Sequence, residues 1–349
     1  MRRIAVFACI SAAALLSFGC ADDGAPILGV DNPATDLELA RPAHAGLKPG
    51  GYYSFDWSYE TGAYSELLQI KTANGVGTFI WRLNLQPDPN PEVFGPMPTG
   101  LTFDVDGTMY TILNILAFDP SLVQSQLARV DSQTGDLTTI GFPVPFNTSG
   151  PEIDACGNMY VCGFQVDALG YVWGNSNLWR VDKATGQFNL VGDTGHTNWM
   201  DLAFDSGGTL WATKENELWT IDPGTGASTF VTEIFGVPDA GAPRFMEVMS
   251  IAFDKHDVLY GTAMTVYYED PKGSPVMSID VNSGVCTLKG YTLGLSNHGG
   301  DTMPMQVRVA HLGEGGVYTC ETISLDALPA HLAHGDYVPG TAGHPCDCP

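Results

Sequence analysis

Two groups of residues have the types and spacing for chemistry. Near the C-terminus, His331 and His334 lie three apart in "ALPAHLAHGD". That stretch reads as a short helix stopped by Gly335, and residues at i and i+3 share one helical face, so both imidazoles can point at one ion. The second group is scattered: Thr99, Asn147, Ser149, His196, Asn198, Asp201, Arg244, Glu247, His298 and Asp301. Two histidines, three acids and an arginine at one mouth would bind a polar small molecule, a glycan or a metal, with calcium the ion expected in such a channel. His196, Asp201, Glu247 and His298 are the acid/base groups or ligands for the alternative, a metal-dependent lactonase, lyase or glycan-cleaving enzyme. A glycosidase would need Asp201 and Glu247 about 5–10 Å apart.

A repeated element must gather the scattered group. In Asp201–Val231, "DLAFDSGGTLWATKENELWTIDPGTGASTFV", four short strands are expected over Leu202–Phe204, Leu210–Thr213, Leu218–Ile221 and Ser228–Val231. Gly, Pro and Asp mark the turns between them. "LAF" and "LWA" are apolar on both faces, which requires a sheet covered on both sides. The first half recurs as "LTFDVDGTMYT", "EIDACGNMYVC", "LAFDSGGTLWA" and "IAFDKHDVLYG", with turn positions Gly107, Gly157, Gly208 and Asp257 stepping by 50, 51 and 49 residues. The second half recurs as "LARVDSQTGDLTTI", "LWRVDKATGQFNLV", "LWTIDPGTGASTFV" and "VMSIDVNSGVCTLK", with a weaker copy, "LLQIKTANGVGTFI", at Leu67–Ile80. Stacked four-stranded antiparallel sheets at this period predict an all-β fold, a β-propeller of about five or six blades. The aromatic segment Gly51–Tyr59 is the candidate for closing the ring. Each innermost strand lines the channel, and the connections leading into those strands carry the second group to one rim. The Asp of Asp104-Val105-Asp106-Gly107 starts like a calcium loop but reads as a turn residue bonding backbone amides. The repeat style resembles NHL-like and quinoprotein-like propellers, which implies a scaffold and no particular activity.

Charge and targeting narrow the setting. Lys and Arg total 15 against 39 Asp and Glu, a net charge of −24. Such a surface disfavours nucleic acid and charge-driven docking on anionic lipid. Met1–Gly19 carries Arg2-Arg3 and then an apolar run too short for a membrane span, and it ends "LLSFGC". This resembles a bacterial lipoprotein signal and implies lipidation of Cys20, which makes the membrane anchor and places the protein in the cell envelope. Residues 20–45 are expected to be a tether, 46–306 the propeller and 307–349 a C-terminal module. Six cysteines remain beside Cys20, an even number suited to disulfides in an exported chain. Cys156 and Cys162 flank one hairpin turn, and a bond between them would stabilise by roughly 2 kcal/mol.

The C-terminal stretch Val307–Pro349 resembles a short module of exported bacterial proteins, through His311, "TISL" at Thr322–Leu325, "ALPAHLAHGD" at Ala327–Asp336, and Cys346. Ala310 stands where that pattern has its first Cys. The resemblance makes His311, His331, His334 and Cys346 a four-ligand set for zinc, with Cys320 or Cys348 as substitutes for the missing thiol. A tail stapled by a disulfide from Cys320 to Cys346 or Cys348 is the other reading. The function expected of the whole is a lipid-anchored, non-catalytic binding or scaffold protein whose partner is a polar small molecule, a glycan or an envelope protein.

Overall fold

The computed structural model of the chain describes residues 46–58, 63–85, 93–117, 119–166, 172–235, 247–264, 273–292, 297–313 and 316–338. Cys20, Arg244, Cys346 and Cys348 lie outside them. Strands β1 (Tyr52–Ser58), β2 (Ala63–Ile70) and β3 (Gly77–Arg82) come first, followed by a four-stranded sheet of β4 (Val93–Phe103), β5 (Met109–Ala117), β6 (Gln124–Val130) and β7 (Leu137–Val144). In the next sheet the innermost strand is split into β8 (Asn147–Thr148) and β9 (Glu152–Ile153), both paired with β10 (Met159–Val166), before β11 (Val172–Val181) and β12 (Phe188–Asp193). Then come β13 (Asp201–Phe204), β14 (Leu210–Lys214), β15 (Glu217–Ile221) and β16 (Ser228–Glu233), within two residues of the expected bounds. The sheet of β17 (Glu247–Phe253), β18 (Leu259–Met264), β19 (Pro275–Ile279) and β20 (Cys286–Tyr291) follows.

Ring closure fixes the blade number at five. Strand β21 (Asn297–Thr302) pairs antiparallel with β1, so the first blade is ordered β21-β1-β2-β3. The aromatic N-terminal segment supplies its second strand, and the end of the propeller supplies its innermost one. Tyr52 is paired with Thr302 and Asp56 with Asn297.

The apolar-on-both-faces pattern is explained by the cores between blades. Tyr53, Phe55 and Trp81 of the first blade pack on Leu101, Phe103 and Met109 of the second. Leu127 of the second meets Met159 and Val161 of the third. Leu178 of the third meets Leu202 and Trp219 of the fourth, and Leu218 of the fourth meets Ile251 and Met277 of the fifth. Val276 of the fifth returns to Tyr52 and Leu68 of the first. Every blade is thus sandwiched, and burial of each large side chain contributes roughly 1.5–3 kcal/mol.

The repeated glycine of the outer turn has a physical cause. Gly75, Gly135, Gly186, Gly226 and Gly284 all have φ between +70° and +81°. Each also lies against the backbone of the preceding blade's outer strand: Gly75 on Gly290, Gly135 on Arg82, Gly186 on Ile140, Gly226 on Gly192 and Gly284 on Glu233. A Cβ there would meet both an unfavourable conformation and a neighbouring backbone.

Below the propeller, β22 (Gln306–Leu312) and β23 (Tyr318–Ser324) form a hairpin, and a helix α1 (Leu328–Ala333) ends before Gly335, whose φ is +93°. Val307, Val309, Leu325 and Leu328 form its small core with Met303 packed against it. Leu325 also lies beside Gly107, so the hairpin sits on the face that carries the inner turns. That face is the floor; the opposite face is the mouth.

Candidate functional site at the channel mouth

The innermost strands bring Thr99, Ser149, Asn198, Glu247 and His298 to one recess of about 50 Å³ at the mouth. A water needs about 10–15 Å³ on this measure, so there is room for a few waters or one small polar group. Apolar walls come from Met97, Leu116, Phe164, Trp199 and Met200. Asn114 also lines it and positions the neighbouring blade: its Nδ2 donates to Thr148 O at 3.0 Å, and Thr148 N donates to its Oδ1 at 3.2 Å.

The electrostatics of the recess are set by burial. His298 Nδ1 lies 2.5 Å from Thr99 O. A carbonyl only accepts, so Nδ1 carries the hydrogen. Burial outweighs this bond and lowers the His298 pKa to about 4, which keeps the ring neutral at pH 7. Burial, then the charge of Glu215, raises Glu247 to about 7. Asn198 has φ +67°, is 5% exposed, and its Nδ2 is buried without a protein partner among the described residues. A buried amide left unpaired costs roughly 1–3 kcal/mol, so a ligand acceptor at that nitrogen would recover binding energy.

The structure separates other members of the expected rim from this recess. His196 packs against Trp219 at a tilt of 52°, with ring centroids 4.4 Å apart, and meets Trp199 edge-on at 6.2 Å. Asp201 lies below the mouth: its Oδ2 accepts from Ile251 N at 2.8 Å and Gly300 N at 3.3 Å. Asp301 Oδ2 accepts from Phe103 N at 2.8 Å and Thr102 Oγ1 at 3.2 Å. Glu152, absent from the expected rim, makes the same bond one blade pair further on, accepting from Phe204 N at 3.0 Å. These three carboxyls clip neighbouring innermost strands together. Burial raises all three, Asp301 to about 6 and Glu152 and Asp201 well above the usual range. Asn147 is fully buried beside the recess, not on it. Strand geometry explains the difference for β21, where three residues advance about 10 Å and carry Asp301 down the channel from His298; Asp201 opens β13, after the connection that holds Asn198.

Among the described residues, Glu247 is the one carboxylate lining the recess. The turn aspartates behave as expected: Asp104 Oδ1 accepts from Val105 N at 2.8 Å, and its other oxygen pairs with Lys183. The one cluster of three ligand-type groups among the described residues is in the C-terminal module: His311, His331 and Asp336. His334 stands beside it, its ring 5.7 Å from His331.

The cysteine expectation is corrected. Cys162 is a free, buried thiol, raised by burial above its ordinary pKa, and Cys286 is also free. Cys156 and Cys320 are disulfide-bonded. In the register of β9 and β10, Cys156 sits at the apex of the turn and Cys162 lies well along the strand. Bridged Cα atoms lie within about 7 Å, which this hairpin does not allow.

No protein-family model matches the chain, and no curated protein matches it significantly. Solved structures similar to it include a protein of unknown function from Bacteroides caccae, at 10% identity and TM-score 0.42, covering 73% of this chain and 98% of that one. A gluconolactonase from Xanthomonas campestris is similar at 13% identity and TM-score 0.39, covering 80% and 88%. Regucalcin, a calcium-binding protein from Agrobacterium tumefaciens, is similar at 15% identity and TM-score 0.41, covering 84% and 92%. The chain is an all-β, five-bladed propeller of four-stranded blades, with a short C-terminal hairpin and helix.

Proposed function

We propose that this chain is a lipid-anchored, non-catalytic binding protein of a bacterial cell envelope, and that its mouth recess holds a small neutral polar group, such as a hydroxyl-bearing end of a glycan or metabolite. The observation that carries the reading is Asn198: a buried amide nitrogen without a protein partner, beside a recess lined by mixed apolar and polar side chains. Such a lining, with a few fixed polar groups, is what small-molecule sites present. Neutral His298 and a Glu247 poised near pH 7 favour a hydrogen-bonding neutral group over a fixed anion. The alternative enzyme draws less support. Paired-carboxylate chemistry needs a second acid in the recess, and Asp201, Asp301 and Glu152 are engaged in clipping strands.

The test is a thermal-shift screen of the mature protein against neutral sugars, amides and polyols, followed by titration of any hit. A bound ligand at 100 times its Kd should stabilise by about 2.7 kcal/mol. Asn198→Leu should abolish that shift. Turnover of a lactone, ester or glycoside that Glu247→Gln eliminates would replace this reading with the enzymatic one.

A further inference from the structure

We infer that the C-terminal module is a binding site for a zinc-class divalent ion, held by His311, His331 and Asp336 with His334 as the fourth ligand. Asp336, not a cysteine, is the anionic member. The fold of the module brings the three residues together. Gly335 turns the chain back after α1, and Tyr337 exchanges backbone bonds with Ala310 of β22, N to O at 3.2 Å and O from N at 2.9 Å. That bridge delivers Asp336 alongside His311. Asp336 Oδ2 is 2.9 Å from His311 Nδ1 and 2.6 Å from His331 Nδ1, and its Oδ1 accepts from Leu312 N at 2.8 Å.

The carboxylate side chain is fully buried, while the two imidazoles keep 29% and 20% exposure. The ligand atoms of all three residues lie within 4.8 Å of one another. The imidazole rings form a triangle, with centroids 5.6 Å (His311–His331), 5.7 Å (His331–His334) and 6.4 Å (His311–His334) apart. In a tetrahedral site with bonds of about 2.0–2.1 Å, ligand atoms stand roughly 3.3 Å apart, so entry of an ion would lengthen the 2.6 and 2.9 Å contacts of Asp336 by about 0.4–0.7 Å. Each of the two rings would then meet the ion through Nδ1 and keep a hydrogen on Nε2.

Two further features fit an ion here. Nitrogen plus carboxylate donors select zinc-class ions over calcium, which takes oxygen ligands. The module is also small for its task. Four buried apolar residues hold a helix of six residues, far shorter than an isolated helix needs to persist in water. An ion joining β22 to the end of α1 would fasten the helix to the hairpin. Cys320 is disulfide-bonded and offers no thiolate, whereas the Asp336 carboxylate already stands against both histidines.

The experiment uses the full mature chain, stripped with a chelator and dialysed. Zinc is titrated calorimetrically, and cobalt(II) is followed by its visible absorption. The expected result is one equivalent bound, intense four-coordinate cobalt bands displaced by zinc, and a higher melting temperature with zinc. His311→Ala with His331→Ala should weaken zinc binding at least 100-fold, Asp336→Asn 10-fold or more, and Glu247→Gln not at all. Absence of a stoichiometric zinc or cobalt site in the wild-type chain overturns the inference, even if a variant fails to fold. So does unchanged affinity in the folded double variant.

Discussion

Gly100 and Gly299 meet at the axis of the propeller: a Cβ on Gly100 would stand 2.8 Å from the Gly299 Cα. Gly150 joins them, its Cα 3.1 Å from the same Cβ position. The channel is therefore stoppered by backbone, with the recess above and Asp301 and Glu152 toward the floor.

Gly299→Ala should be among the most damaging single substitutions. The new methyl would lie against Gly100 Cα and 2.7 Å from Thr99 O, and residue 299 has φ +47°. Overpacking and the left-handed backbone together should cost about 3 kcal/mol. Urea denaturation of the variant measures it; an unchanged midpoint would mean that the glycines do not touch.

Glu247 should make stability pH-dependent. Its folded pKa of about 7 lies above the unfolded value of about 4.3, so the protonated form is favoured by folding. The resulting stabilisation is fully present below about pH 4.3 and is lost as pH rises through 7, up to roughly 3 kcal/mol in all. Glu247→Gln lacks this loss. Denaturation at pH 5 and pH 8 should show the variant gaining on the wild type as pH rises, and a constant difference would place Glu247 in full contact with water.

Peptide mapping without reduction should find Cys156 and Cys320 in disulfides. Cys162 should resist alkylation until denaturant is added, because it is fully buried. A linked Cys156–Cys162 peptide would contradict the register of β9 and β10.

Cys20→Ala should release the protein from membranes into the soluble fraction, since acyl chains on that residue are the proposed anchor. Continued sedimentation of an unacylated mutant through high salt would remove the lipoprotein reading.

Most of the blade architecture is legible in the sequence, because interblade cores demand apolar runs such as "LAF" and "LWA" and the turn glycines touch the preceding blade. Strand β21 is the exception. "NHGGDT" has no apolar residue, yet Asn297–Gly300 are buried, because they line the axis where glycine backbones meet. The repeat period alone gives five or six blades, and only the pairing of β21 with β1 decides for five. The recess was legible through Asn198, Glu247 and His298, which the repeat phase carries to one rim. Asp201 and Asp301 lie off the recess and bond neighbouring strands, because nearness in sequence along a strand means depth in a channel. The place of Asp336 beside His311 and His331 is not legible, because it follows the helix stop and only the turn at Gly335 returns it to them.

The pairing of Tyr52 with Thr302 fixes a heading as well as a blade count. The described chain enters the propeller and leaves it on the floor, where Gly50 N donates to Met303 O at 2.7 Å. Asn297 and Asp56, at the other end of that ladder, lie toward the mouth, about 20 Å away for a strand of six residues. The described chain therefore has both its ends on the face opposite the recess. The β1–β21 ladder thus separates the two jobs by face: attachment to the described ends can be made on the floor without covering the recess.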